Sequence, residues 1–101
     1  MPAQVSGTWA LNLPSGWFST PLTIDLRQSV EGVEGKGYVG KDEFTVRDVT
    51  VRGERVRFAL LTRGRYMILT GTISGGRMQG EVVSAGQRES WTASLQSAGT
   101  R

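Results

Sequence analysis

The chain has 101 residues, 38% of them hydrophobic, and its twelve basic and nine acidic side chains give a net charge of +3. This length suits a single domain with one modest core. Neither cysteine nor histidine is present, which excludes a disulfide framework, a thiol nucleophile, a conventional serine–histidine triad and the usual zinc sites. No apolar stretch approaches the roughly 20 residues of a membrane-spanning helix, and residues 1–5 lack the charged and apolar regions of a signal peptide, so the compartment stays undetermined.

Short runs of alternating apolar residues recur about every ten residues and are separated by glycine-containing turns, a pattern typical of antiparallel strands. No segment has a sustained helical period, so we expect no long helix. Eight strands are predicted in chain order at 6–13, 22–27, 33–39, from 43 onward, and at 56–63, 67–73, 78–82 and 90–95.

The alternation changes phase within the fourth strand. Phe44 and Val46 are apolar in one phase, whereas Val49 and Val51 are apolar in the other. Side chains alternate strictly along a strand, so a change of phase requires an extra residue. The sequence therefore predicts a β-bulge near Arg47–Asp48.

Eight antiparallel strands of this length leave exposed edges unless the sheet closes. We therefore predict one all-β domain, a single antiparallel eight-stranded up-and-down β-barrel over roughly residues 6–95, with termini that fray. Connections in such a meander alternate between its two ends. The loop 14–21 then shares one end with the turns near 41, 64 and 87, and both chain termini lie at the other end.

The first strand opens with Ser6-Gly7-Thr8-Trp9, which resembles the G-x-W signature of lipocalins and other calycins. The resemblance implies a lipocalin-like barrel in which Trp9 plugs the closed end and the loop 14–21 acts as a lid over the open end. The start is also similar to that of avidins and of small bacterial metalloprotease-inhibitor barrels. The chain is shorter than a typical lipocalin and has neither the disulfide nor the C-terminal helix of that family.

Two large aromatic residues, Trp17 and Phe18, are adjacent in the longest loop, where they must be buried against something. They either cap their own barrel or form a lid or contact surface for a ligand or partner. The same predicted end carries several arginines, and strict alternation places one carboxylate on the inward face near the mouth. An aromatic lid with a cationic rim suits a small apolar molecule that bears an anionic group. The predicted ligand-binding residues are Trp17, Phe18, Arg63, Arg65, Arg88 and Glu89.

We expect binding without catalysis, and neither a cofactor nor a metal. The leading hypothesis is a non-catalytic binding module that holds a small apolar ligand, with or without an anionic group, at the end covered by the loop 14–21. The alternative is a protein-interaction or accessory domain, including one like a protease inhibitor, with a filled barrel interior. A cavity of about 300 Å³ or more beside Trp17 favours the first hypothesis. An interior filled by the large inward side chains favours the second: Trp9, Phe44, Phe58, Met67, Met78 and Trp91.

Nucleic acid is the least favoured partner. Arginines are dense between residues 47 and 65, and two tyrosines are predicted to face outward for stacking. However, Asp48 and Glu54 interrupt the arginines, and the turns near 53 and 64 are predicted to lie at opposite ends of the barrel. We expect a monomer or a weak dimer with no membrane span.

Overall fold

The computed structural model describes residues 5–14, 16–18 and 22–98. Strand β8 continues beyond its predicted end at residue 95, and the rest of the C-terminus, where fraying is predicted, lies outside the described residues. The strands are β1 (Gly7–Asn12), β2 (Leu22–Ser29), β3 (Gly32–Val39), β4 (Asp42–Arg52), β5 (Arg55–Thr62), β6 (Arg65–Ser74), β7 (Arg77–Ser84) and β8 (Gln87–Ala98).

The sheet closes on itself. Each strand pairs antiparallel with the next, and β8 pairs with β1, which makes an eight-stranded up-and-down barrel. The predicted fold class is confirmed. Closure gives every strand two hydrogen-bonded neighbours, so no strand edge is left exposed. The residues that the structure describes form no helix long and apolar enough to cross a membrane.

The predicted bulge is present in β4. Asp48 and Val49 together lie opposite Phe58 of β5, where regular pairing would place one residue. Asp48 has a φ of 54°, the left-handed conformation found at the first position of one common type of bulge. The extra residue returns Val51 to the inner face and leaves the Asp48 carboxylate exposed to solvent.

The connections alternate between two ends of the barrel. The end that we call the open end carries the described part of the loop between β1 and β2, together with the turns at 40–41, 63–64 and 85–86. The closed end carries the other three turns and both ends of the described chain, since Gly7 pairs with Ala98.

The N-terminal segment fills the closed end. Val5 is fully buried, and its backbone N–H donates a hydrogen bond to Gln28 Oε1 at 3.0 Å. Its carbonyl oxygen accepts a hydrogen bond from the indole Nε1 of buried Trp9, also at 3.0 Å. Both polar groups of this buried residue are thereby satisfied, which a buried backbone requires.

Side chains fill the barrel interior. Inward-facing residues of all eight strands belong to one hydrophobic cluster, and Phe44 packs against it while half-buried. Phe58 and Trp91 meet edge to face, with ring centroids 5.6 Å apart and an angle of 81° between the rings, a favoured aromatic geometry. The largest fully buried side chains are Trp9, Trp91, Phe58, Ile24, Leu26, Leu60, Met67, Leu69, Met78, Val5, Val39 and Val82.

The indole of Trp91 reaches from β8 to β6. Trp91 lies opposite Gly80 of β7, which lies opposite Gly71 of β6. The indole Nε1 donates a hydrogen bond to the carbonyl oxygen of Thr70 on β6, at 3.1 Å. A side chain can cross a neighbouring strand in this way because glycine leaves the inner face of that strand open.

The strands β6 and β7 also approach closely at this glycine pair. A Cβ on Gly80 would meet the Thr70 carbonyl oxygen and the Gly71 Cα, and a Cβ on Gly71 would meet the Gln79 carbonyl oxygen. Backbone atoms cannot move aside as the end of a side chain can. The pair therefore tolerates only glycine.

We predict that Gly80→Ala lowers the free energy of unfolding by about 3 kcal/mol, because the added methyl group collides with the backbone of β6. Gly37→Ala is the matched comparison, since its methyl group meets the ring of half-buried Phe44. That ring can rotate, so we expect a loss of about 1 kcal/mol. Urea denaturation of both variants measures the difference, and equal losses would contradict the role of the glycine pair.

The turn between β7 and β8 holds a residue other than glycine in a left-handed conformation. Ala85 has a φ of 51° and Gly86 a φ of 79°, and positive values at both central residues define the type I′ turn. Asparagine adopts this conformation more readily than alanine, which makes Asn-Gly the preferred pair in such turns.

We predict that Ala85→Asn raises the free energy of unfolding by about 0.5 kcal/mol, since it lessens the cost of the left-handed conformation. Ala85→Val should have the opposite effect, because a β-branched residue is least compatible with positive φ. Thermal unfolding followed by circular dichroism measures both. Stabilisation by valine would show that the turn has another geometry.

Candidate functional site

The predicted aromatic lid lies against the core at the open end. Trp17 and Phe18 are half-buried, and both pack on the hydrophobic cluster of the interior. The Trp17 N–H donates a hydrogen bond to the Pro14 carbonyl oxygen at 3.2 Å, which forms a tight turn. Residues 15 and 19–21 of the predicted lid lie outside the described residues. The described part therefore caps its own barrel.

One predicted rim arginine contacts the aromatic lid. Arg65 occupies the inward phase of β6 at the mouth, and its guanidinium carbon lies 4.4 Å from the centroid of the Trp17 ring. A guanidinium stacked on an indole at this distance is a cation–π interaction. The contact joins the loop to β6 and covers one face of the Trp17 ring.

The other three predicted polar residues are placed differently. Arg63 joins two turns of the open end: its Nε donates to Asp42 Oδ2 at 2.9 Å, and its guanidinium donates to the Val39 carbonyl oxygen at 3.4 Å. Arg88 faces outward opposite Val83 and lies 3.7 Å from a Glu81 carboxylate oxygen.

Glu89 shares the inward register of Val82 but is exposed at the mouth. The structure thus brings Arg65, Trp17 and Phe18 together at the open end. Arg63 and Arg88 are occupied in ion pairs elsewhere on the rim and outer wall. Among the described residues, no three acidic side chains come together as metal ligands would.

A second surface, which sequence analysis missed, lies on the outer wall of β5–β7. Leu61, Tyr66 and Val83 point outward and are 44%, 47% and 38% exposed. Half-buried Ile68 and buried Ala59, which is 4% exposed, lie between them and complete what we call the outer apolar patch, since Ala59 pairs with Ile68 and Ile68 with Val83. The patch crosses three adjacent strands without a charged residue within it.

A groove of about 500 Å³ adjoins this patch on the same wall. Its floor includes the backbone of the Gly71–Gly80 pair. We call it the arginine groove, after Arg52, Arg55 and Arg57, whose side chains line one side; the opposite side is formed by Thr70, Thr72, Gln79 and Glu81 of β6 and β7.

A sequence signal for the outer apolar patch was available. Strict alternation breaks where apolar residues are consecutive, at 59–61, 67–69 and 82–83. Each run must place one or two apolar side chains outward. Because the three runs lie on successive strands of a meander, their outward residues meet on one wall.

Comparison with known proteins finds no protein-family model, no curated protein and no solved structure that matches this chain. The resemblance of the first strand to lipocalins therefore stays a prediction.

We predict a coupling free energy of about 0.5–1 kcal/mol between Trp17 and Arg65, in keeping with a partly exposed cation–π contact. A double-mutant cycle with Trp17→Leu and Arg65→Met, measured by urea denaturation, isolates this term. The same cycle with Arg88→Met in place of Arg65→Met is the control and should give a coupling near zero, since Arg88 faces the outer wall. Equal coupling in both cycles would refute the contact.

Proposed function

We propose that this protein is a non-catalytic protein-interaction domain that binds its partner through the outer wall of β5–β7. The observation that carries the proposal is the outer apolar patch of Ala59, Leu61, Tyr66, Ile68 and Val83 on a barrel whose interior is filled. Single exposed apolar residues are ordinary on protein surfaces. A contiguous group across three strands is typical of a contact surface.

The composition of the patch supports this proposal. Tyrosine is enriched in protein interfaces, and charged residues are depleted from the interface core. Leu61, Tyr66 and Val83 are the exposed members, and Arg47 and Arg88 flank the row that crosses Ala59, Ile68 and Val83. An apolar centre with a polar margin is the usual arrangement of such interfaces.

A small ligand inside the barrel stays a prediction, and the filled interior weighs against it. Trp9, Phe58, Met67, Met78 and Trp91 are each at most 1% exposed. Such a ligand would have to displace several of these side chains, at the cost of their packing. Native mass spectrometry of the purified protein would reveal such a ligand as a non-covalent adduct that denaturation removes, and that result would contradict our proposal.

The proposal predicts that peptides selected for binding to the folded protein from a random display library depend on the patch. Leu61→Asp should raise their dissociation constants about tenfold or more, because an apolar contact is lost and a carboxylate is buried. Leu61 is already partly exposed, so we expect this variant to fold. Fluorescence anisotropy of labelled peptides provides the measurement.

Tyr38→Asp is the matched control, since Tyr38 is 38% exposed on the outer face of β3, and it should leave the binding unchanged. Two results would overturn the proposal. One is that no peptide is enriched. The other is that the enriched peptides bind Leu61→Asp as tightly as the original chain.

A further inference from the structure

We propose that the arginine groove, formed by Arg52, Arg55 and Arg57 beside the outer apolar patch, receives an acidic peptide segment of the protein partner. This inference rests on the proposed function and gives the partner a chemistry: carboxylate side chains next to apolar ones.

Among the residues that the structure describes, no carboxylate lies within ion-pair distance of the groove arginines. Arg52 and Arg55 lie directly opposite each other across β4 and β5, and like charges in this position destabilise a sheet. Arg57 follows on the same outer face of β5. The ion pairs found among the described residues are Lys36–Glu43, Arg63–Asp42 and Arg88–Glu81, and none includes these three arginines.

The other wall of the barrel shows that like charges do not face each other everywhere on the surface. On β2 and β3, opposite charges face each other across the strands, with Asp25 opposite Lys36 and Arg27 opposite Glu34. This pattern stabilises a solvated sheet face. Cross-strand charges are thus opposite on β2 and β3 but alike where Arg52 faces Arg55. Because exceptions to such sequence rules concentrate at functional sites, the facing arginines point to a site.

The lining of the groove suits carboxylates. Guanidinium groups bind carboxylates through paired hydrogen bonds, and Thr70, Thr72 and Gln79 add neutral donors on the facing side. The volume of about 500 Å³ lies within the usual range of binding clefts, about 300–1,000 Å³. The one lining carboxylate, Glu81, is paired with Arg88.

The same lining favours a peptide over a single-stranded nucleic acid. Sites for single strands combine positive charge with aromatic side chains on which the bases stack. The residues that line the groove are arginines, threonines, glutamine, glutamate, two glycines and a valine, and no aromatic residue is among them. Tyr66 lies in the neighbouring apolar patch, and Tyr38 lies on β3.

The groove continues into the apolar patch along every strand that they share. Arg57 precedes outward-facing Ala59 by two residues on β5, and Thr70 follows Ile68 by two residues on β6. On β7, Glu81 precedes Val83 by two residues. Residues two apart are neighbours on one face of a strand, so a single segment can contact arginines and apolar residues together.

The test is binding of an end-labelled oligoglutamate peptide to the intact chain at low salt, followed by fluorescence anisotropy. The double variant Arg55→Gln/Arg57→Gln should weaken binding about tenfold or more, because two charge-assisted contacts are lost. The control Arg27→Gln/Lys36→Gln removes the same positive charge from the other wall, and we expect a change below about twofold. Added salt should weaken binding, since the contacts are exposed.

A single-stranded oligothymidylate of matched charge is the second probe. If it binds more tightly than oligoglutamate and loses that binding in Arg55→Gln/Arg57→Gln, the occupant is nucleic acid and the proposal is overturned. Equal weakening by both double variants would show an unlocalised charge effect and would also overturn it. If either variant fails to fold, the single variants Arg57→Gln and Arg27→Gln give the same comparison.

Failure of this inference can be told apart from failure of the proposed function. Library peptides that depend on Leu61, contain no acidic residues and bind Arg55→Gln/Arg57→Gln normally would refute the acidic segment alone. Conversely, oligoglutamate binding that depends on Arg55 and Arg57, with no peptide that depends on Leu61, would support an anion site and refute the interaction patch.

Discussion

The indole of Trp91, which crosses β7 at Gly80, is the contact on which the rest of the barrel depends. It joins β8 to the Thr70 carbonyl of β6 and packs edge to face on Phe58 of β5. One side chain therefore links four consecutive strands. An eight-stranded barrel is just narrow enough for side chains to fill its interior, and this indole is one of the largest side chains buried there. Trp9 and Val5 fill the closed end.

The glycine pair beside the Trp91 indole is also part of the outer wall. Only glycine fits at positions 71 and 80, where the two strands approach each other closely, and this pair also lines the arginine groove. The glycine pair that admits the Trp91 indole inside the barrel thus also lines the groove outside it. Binding through the outer wall is consistent with this arrangement, because the interior residues cannot leave without loss of their packing.

Much of the fold was predictable because its signals are local. Alternation identified all eight strands, and the change of phase between Val46 and Val49 located the bulge that the structure places at Asp48 and Val49. Closure followed from the need to remove strand edges. The candidate site was less predictable, since it depends on partners that are distant in sequence. A ligand site at the mouth was predicted from Trp17 and from arginines at the same end of the barrel. Whether such an arginine can bind a ligand depends on carboxylates of other strands, as the ion pair of Arg63 with Asp42 shows.

Short turns make the outer wall a suitable binding surface. The six hairpins after β2 each have a two-residue turn, and turns of this length fix the register of the strands they connect. The outward residues of β4–β7 are therefore held in place by a closed hydrogen-bonded sheet before any partner arrives. A rigid surface loses little conformational entropy on binding, so more of the contact free energy appears as affinity. Arg52 and Arg55 lie opposite each other, and the acidic partner that we propose would relieve the repulsion between these like charges.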